Sequence, residues 1–418
     1  MSGAADERKA PRLARIGVIG AGTMGAGIAL AAARAGMEVA LIDREPAIAA
    51  AGKARAAASL KATVEQGRIA TAAADAWLAR LRPDADLAAL SGVDLVIESV
   101  SEVRAAKAGV IARAAEIAGA DAVLATNTSS LPITSLARHH PDPGRFIGMH
   151  FFAPAESTPL VEIVPGAATG ERALATARAF AEATGKRAIV VKDCRGFYTS
   201  RLIGSYVGEG HLMLAEGVPA ETIEAAAIAG GMALGPLALN DQVGLDVSWS
   251  IVAAARADLG QAAVDTDQTR VLEEMVLRQR RTGRKADSGF YDYKGTEPRL
   301  WPGLADLFPP RATDLEIGIL RDRLLAAPAL EAARLFQQEV VASVGDADIG
   351  SVVGVGFPAP GALSWIDATG PARFVHLCRD LTRRFGSRLK PNRQLVELAA
   401  AGETYRSRFP TARSQAPA

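Results

Sequence analysis

Cysteine is almost missing from this chain: Cys194 and Cys378 are the only two in 418 residues. Two distant thiols cannot build a zinc cluster by themselves or staple a small fold, so the chain reads as a reduced, metal-free cytoplasmic protein. An excess of one charge is also missing. Lys and Arg number 47, Asp and Glu 46, for a net charge of +1. Nucleic-acid binding would call for a basic excess or stripe, so it is not expected. No apolar run reaches membrane-spanning length; the best, 24–33, gives way to Arg34. The opening residues 1–12 mix acids and bases around no apolar centre, unlike a secretory signal or a transit peptide. With 49% hydrophobic and 22% charged residues, broad disorder is excluded.

What the chain has is alternation. Short apolar runs occur at 15–20, 38–43, 94–99, 122–126, 145–152, 160–164 and 187–191, with alanine-rich stretches of helical length between many of them. That pattern predicts a parallel sheet covered by helices on both faces. Residues 46–81 carry no strand signal and read as a helical hairpin inserted after the second strand. The first run ends in Gly20-Ala21-Gly22-Thr23-Met24-Gly25, a GxGxxG between a strand and an amphipathic helix. Gly20 permits the tight turn, Gly22 the approach of a pyrophosphate, and Gly25 close packing of helix on sheet. The second run ends in Asp43. A carboxylate there binds a ribose diol and repels a 2′-phosphate, which favours NAD over NADP; the neighbouring Arg44 weakens that preference.

Five histidines narrow the search for a base. His139 and His140 lie in a proline-containing polar stretch and read as a surface turn. His211 and His376 fall in helical segments and read as structural. His150 ends a strand-like run, where open parallel sheets deliver residues to a ligand crevice. Glu162 lies in the next such run, and adjacent strands would bring the two together. A carboxylate orients an imidazole and stabilises its protonated form, which suits a base that takes a hydroxyl proton. A core histidine satisfied by its neighbour fits the same spacing.

Eight segments together resemble the 3-hydroxyacyl-CoA dehydrogenase family: IGVIGAGTMGAGIA (16–29), DLVIESVSEVRAAK (94–107), ATNTSSLPITSLA (125–137), RFIGMHFFAP (145–154), LVEIV (160–164), GFYTSR (196–201), GPLALNDQVGLD (235–246) and SGFYDY (288–293). They occur in family order over most of the chain. The resemblance implies an α/β Rossmann-type doubly wound domain followed by all-α C-terminal domains. It implies NAD-dependent oxidation of an (S)-3-hydroxyacyl-CoA in β-oxidation or related acyl-CoA catabolism. It makes His150 the base, Glu162 its partner, and Ser129 a hydrogen-bonding residue at the substrate. The loop of Gly20, Gly22, Thr23, Met24 and Gly25, with Asp43, Glu102, Lys107 and Asn127, becomes the cofactor site. Ser59 lies near the CoA moiety and Ser200 on the substrate side. No metal is implied.

The chain departs from the family pattern at Ala153, where asparagine or serine is usual after HFF. Ser200 stands where asparagine is common, and the loop 155–159 lacks the methionine before LVE. These differences keep two alternatives in view: a specialised branched, aromatic or dicarboxylic acyl-CoA substrate, or a weakly catalytic nucleotide-binding subunit. The expected domains are 13–195, 196–300 and 310–410. The last reads as a degenerate repeat of the second, because 354–370 echoes 231–244. In multifunctional β-oxidation proteins such a second copy takes the place of a dimer partner. The chain is thus expected to be a monomer through this internal pairing, or else a homodimer. The second helical block is expected to open at Leu315.

Overall fold

The computed structural model describes residues 11–261, 264, 266–311 and 316–410. Two compact units divide the chain, one ending at Phe197 and the other starting at Tyr198.

The first unit is built on an eight-stranded sheet. Its strands are β1 (Arg15–Ile19), β2 (Glu38–Ile42), β3 (Leu81–Asp84), β4 (Leu95–Glu98), β5 (Val123–Thr126), β6 (Phe146–Phe151), β7 (Leu160–Val164) and β8 (Arg187–Val190). Their order is β3-β2-β1-β4-β5-β6-β7-β8, so the winding reverses between β1 and β4. Strands β4 to β7 are buried along their whole length. That is the state of inner strands covered on both faces, and it accounts for their mostly apolar residues.

The helices are α1 (Thr23–Arg34), α2 (Pro46–Glu65), α3 (Thr71–Ala79), α4 (Arg104–Ala118), α5 (Ile133–Ala137) and α6 (Glu171–Ala183). The inserted hairpin is α2 and α3. Helix α1 is not amphipathic as expected: every residue from Gly25 to Ala33 is buried. Its glycines and alanines let it pack between the sheet and α2, and a helix buried nearly all round has no need of a polar stripe.

Two further features correct the sequence reading. Strand β3, LRPD, follows the hairpin where no strand was expected. It carries Pro83, which an edge position tolerates because one side of the strand makes no ladder. The sheet is also not wholly parallel, because β7 runs antiparallel to β6 while β8 pairs parallel with β7. The eight-residue connection between β6 and β7 is too short for a parallel crossover, which needs a dozen residues or more.

The second unit is helical apart from a two-stranded ribbon, β9 (Tyr291–Asp292) with β10 (Arg299–Leu300). Its helices are α7 (Thr199–Ala215), α8 (Ala220–Ala229), α9 (Pro236–Val243), α10 (Leu245–Leu259), α11 (Asp267–Glu273), α12 (Gly303–Leu307), α13 (Ile317–Gln337), α14 (Val344–Val355), α15 (Ala362–Thr369), α16 (Pro371–Phe385), α17 (Arg393–Ala401) and α18 (Tyr405–Arg408). Leu315 lies outside the described residues; α13 starts at Ile317.

Helices α7 and α13 pack together. Between them Arg323, fully buried, bonds the carboxylates of Glu209 and Glu216 and lies 4.2 Å from the Phe385 ring centre. Arg388 closes on Glu209 at 2.7 Å. Two connections in this unit share one geometry. Glu224 accepts from Leu237 and Ala238 at the start of α9, and Asp241 near its end accepts from Phe290 and Tyr291. Asp348 accepts from Leu363 and Ser364 at the start of α15, and Asp367 accepts from Tyr405 and Arg406. The glycines Gly244 and Gly370 that follow have φ of +102° and +88°.

Candidate active site

The reversal of strand order between β1 and β4 opens a crevice at the carboxyl ends of the strands, the place where open α/β sheets bind ligands. A cavity of about 590 Å³ lies there. Gly20, Gly22, Asp43, Arg44, Arg55, Ser99 and Ser101 are on its walls. Each motif glycine has its own reason. Gly20 has φ +100°, and a Cβ on Gly25 would fall 1.7 Å from the Gly20 carbonyl oxygen. A Cβ on Gly22 would meet nothing within 4 Å. The chain keeps that volume open at the amino end of α1, which is the cradle a pyrophosphate requires. Thr23 and Met24 begin α1 beside it. Asp43 accepts from the Ala21 amide at 2.7 Å and from the Arg44 amide at 2.8 Å, which fixes its carboxylate at the mouth of the loop. These residues fit a dinucleotide.

His150 and Glu162 stand directly opposite each other across the β6–β7 ladder. His150 Nδ1 and Glu162 Oε2 are 2.6 Å apart. His150 is 6% exposed and Glu162 is not exposed at all. A carboxylate can only accept, so in a contact with one Nδ1 is the donor and Nε2 is the nitrogen turned away from Glu162. Phe152 and Phe197 hold the imidazole, with ring centres at 4.6 and 6.0 Å. Phe197 has φ +48°, an unusual conformation for a bulky residue and one that tends to mark functional sites.

Behind this pair lies a buried polar network. Glu98 closes β4 and takes Lys107 Nζ at 2.9 Å, Thr126 at 2.6 Å and the Val100 amide at 2.6 Å. Lys107 is 1% exposed and also lies 3.4 Å from Glu102. Glu102 accepts from Thr128 Oγ1 and from the Ser129 and Ser130 amides at 2.5, 3.0 and 3.1 Å. Burial works to raise the Glu102 carboxyl. Lys107 and the Thr128, Ser130 and Ser129 donors outweigh it, and the group stays below its ordinary value. Lys107 is therefore a buried cation held between two carboxylates. Its contacts, and those of Glu102, shape the loop that carries Ser129. Asn127 binds Ser99 Oγ at 3.2 Å and accepts the Phe151 amide at 2.9 Å, tying β4 to the residue beside His150.

Two more clamps were not foreseen. Asp193 accepts from Ile133 and Thr134, both at 2.7 Å, at the start of α5. Lys186, 7% exposed, donates to the Ala155 and Thr158 carbonyls at 2.6 and 2.8 Å and so holds the β6–β7 connection. The only sequence signal for Glu98 and Lys186 is a charge placed at the end or start of an apolar run.

Ser59 is on the exposed side of α2 and donates to the Ala56 carbonyl. Ser200 is the second residue of α7 in the helical unit. His139 is exposed, but His140 corrects the surface-turn reading: it is 4% exposed, with Nδ1 accepting from the Asp142 amide at 3.0 Å. Its turn folds the imidazole to within 6.2 Å of the Phe146 ring centre, where apolar cover outweighs the polar sequence context. His211 is buried in α7 and His376 lies beside Asp380 on α16. No cluster of metal-ligand side chains occurs among the described residues, and no described helix is long and apolar enough to cross a membrane.

A glycine cradle at the switch point of a Rossmann-type sheet defines a dinucleotide-binding oxidoreductase domain. The particular family follows from comparison with known proteins. The 3-hydroxyacyl-CoA dehydrogenase NAD-binding domain matches residues 15–194, and the C-terminal domain of the same family matches 196–293. The chain belongs to the 3-hydroxyacyl-CoA dehydrogenase family and is an NAD-binding enzyme of it. It is 35% identical to FadB2 of M. tuberculosis over 68% of this chain and 100% of that one, with a TM-score of 0.63. It is 32% identical to an (S)-3-hydroxybutyryl-CoA dehydrogenase from Ralstonia eutropha, over the same shares, with a TM-score of 0.62. A 3-hydroxybutyryl-CoA dehydrogenase from Escherichia coli is 25% identical, with 94% of this chain and 99% of that one covered and a TM-score of 0.79.

Proposed function

We propose that this protein oxidises (S)-3-hydroxyacyl-CoA to 3-oxoacyl-CoA with His150 as base and Glu162 as its partner. The observation that carries this reading is the 2.6 Å contact between them across a fixed ladder. Nε2 of His150 takes the proton of the 3-hydroxyl. Glu162 holds the ring in the tautomer that can do so and balances the charge it gains. NAD, when bound, accepts the hydride from C3. Ser129 holds the substrate oxygen on a loop set by Glu102. Glu102, Lys107 and Asn127 shape the nicotinamide side, and Ser59 and Ser200 serve the CoA and acyl side. Two of the similar structures are named for 3-hydroxybutyryl-CoA, so a short acyl chain is the first to test.

Ala153 favours a second reading, a specialised acyl-CoA substrate, because the usual polar side chain after HFF is missing. The shared geometry at Asp241 and Asp367 supports reading 310–410 as a degenerate copy of 196–300, standing in for a dimer partner. Two cysteines far apart in sequence suit a reducing compartment, and Cys378 is buried.

The test follows nicotinamide absorbance with acetoacetyl-CoA and NADH, alongside NADH binding by fluorescence. The reading requires turnover by the wild type. It also requires His150→Ala to lose about 10³-fold or more in kcat while keeping its NADH affinity. Full activity in His150→Ala would end the assignment.

A further inference from the structure

The wall of the dinucleotide cavity between β4 and α4 is backed by an odd number of charges. Ser99, Val100 and Ser101 line the cavity, and Glu98 and Glu102 flank them in the chain. Lys107 Nζ lies 2.9 Å from Glu98 Oε1, 3.1 Å from Glu98 Oε2 and 3.4 Å from Glu102 Oε2. It also donates to the Val100 carbonyl at 3.2 Å, while the Val100 amide donates to Glu98 at 2.6 Å. The cluster therefore grips the cavity wall from behind. Lys107 and Glu98 are buried, and the Glu102 side chain is 17% exposed. Burial acts to raise the Glu102 carboxyl, but Lys107 and the surrounding donors hold it ionised. Arg104, two residues further on, donates from Nη1 to Ser135 Oγ at 2.6 Å. One ammonium thus stands between two carboxylates, and the cluster keeps a surplus negative charge.

The same wall leads to the base. Ser99 Oγ accepts from Asn127 Nδ2 at 3.2 Å, and Asn127 Oδ1 accepts from the amide of Phe151, the neighbour of His150. Hydride transfer needs the nicotinamide held close to the carbon whose hydroxyl His150 deprotonates. Oxidised and reduced nicotinamide differ by one formal charge: the ring is a cation in NAD+ and neutral in NADH. A fixed charge in a site shielded from water attracts the first and leaves the second almost unaffected. We propose that Glu98, Glu102 and Lys107 select the oxidation state of the cofactor, their surplus negative charge drawing NAD+ in preference to NADH. The inference rests on Glu102 and Lys107 lying on the nicotinamide side, as in the function proposed above. Relative to a neutral wall, the cluster favours loading of the oxidant and release of the reduced product.

The experiment measures dissociation constants with the full-length protein: NADH by the fluorescence of its reduced ring, NAD+ by its displacement of bound NADH. The variants are Glu102→Gln, Glu102→Asp and Glu98→Gln, each checked for folding by circular dichroism. Glu102→Gln removes the surplus charge, and its amide oxygen can still accept from Thr128, Ser129 and Ser130. It should weaken NAD+ about tenfold, the order expected for one charge in a protein interior, and move NADH by no more than about twofold. Glu98→Gln should shift the ratio of the two constants in the same direction. Glu102→Asp keeps the charge on a shorter arm, so its ratio should stay within about twofold of the wild type even where both affinities fall. Equal losses for both nucleotides in the two glutamine variants would overturn the proposal, because the carboxylates would then only brace the wall. A ratio that shifts as far in Glu102→Asp as in Glu102→Gln would overturn it too, since shape and not charge would be at work. Unchanged constants for both nucleotides in both glutamine variants would defeat the nicotinamide-side placement itself. Every readout is a binding constant, so a wrong assignment of the base would leave these results untouched.

Discussion

Lys186 holds the Ala155 carbonyl at 2.6 Å from a site almost closed to solvent. Burial lowers the lysine below its ordinary value; Glu156 works against that and Arg34 with it. The segment it clamps is the connection between β6 and β7, the strands of His150 and Glu162. Lys186→Met would leave the Ala155 and Thr158 carbonyls without this donor. Each such loss costs about 1–3 kcal/mol when the partner stays buried. The expected result is a drop of several degrees in Tm and a lower kcat with unchanged NADH affinity, partly restored by Lys186→Arg. A variant with wild-type kcat would limit Lys186 to stability.

The carboxylate at Glu162 can be tested apart from its shape. Glu162→Gln keeps the volume but loses the charge that balances the imidazolium. We expect kcat/KM to fall by about 10²-fold or more with the fold intact by circular dichroism. Less than a twofold change would remove Glu162 from the mechanism.

Acid should weaken the helical unit through His211. Burial pushes this imidazole down to about 4 from 6.5. Between those values the unfolded chain binds a proton that the folded chain refuses, so stability falls as pH drops through the window. The difference amounts to about 3 kcal/mol when complete. Asp241, pushed up to about 6 by burial, acts in the opposite sense. The informative quantity is therefore the wild type minus His211→Gln. Trp249, Trp301 and Trp365 all lie in this unit, so tryptophan fluorescence in urea at pH 7 and pH 4.5 reads it. A wild-type loss no larger than that of the variant would contradict the assignment.

Deleting residues 310 onward removes Arg323 and Arg388, which together neutralise Glu209 in the α7–α13 interface. Glu209 is 1% exposed in the intact unit. The shortened chain should aggregate or pair with a second copy, as size-exclusion chromatography with light scattering would show. A stable active monomer would count against the internal-pairing reading.

Ala153→Asn restores the polar residue usual in the family after HFF. It should change kcat or shift preference among acetoacetyl-CoA and longer 3-oxoacyl-CoA substrates by severalfold. Identical kinetics across chain lengths would cut the link between this position and acyl preference.

The strands and the glycine loop were legible because their signals are local: apolar runs, a turn that only glycine allows, and a carboxylate after β2. The His150–Glu162 pair was legible because β6 and β7 are neighbours in both sequence and sheet. Strand β3 was not, since LRPD has little strand character of its own and pairs only because β2 offers an edge. The reversed direction of β7 was written in the length of its connection, which residue types do not reveal. Glu98, Asp193 and Lys186 were hidden for another reason. Their partners are backbone amides, carbonyls or a lysine brought in by tertiary packing, and no spacing rule announces those contacts.

The antiparallel pair within the eight-stranded sheet has a further result. Because β7 turns back, the residues joining it to β6 sit at the carboxyl edge of the sheet, beside the crevice. The alignment of His150 with Glu162 is set by ladder hydrogen bonds, outside that joining segment. Substitutions or insertions there leave the register of His150 and Glu162 in the ladder in place. The segment can therefore vary in length and sequence while the pairing of the two strands, and with it the imidazole–carboxylate contact, is conserved in place.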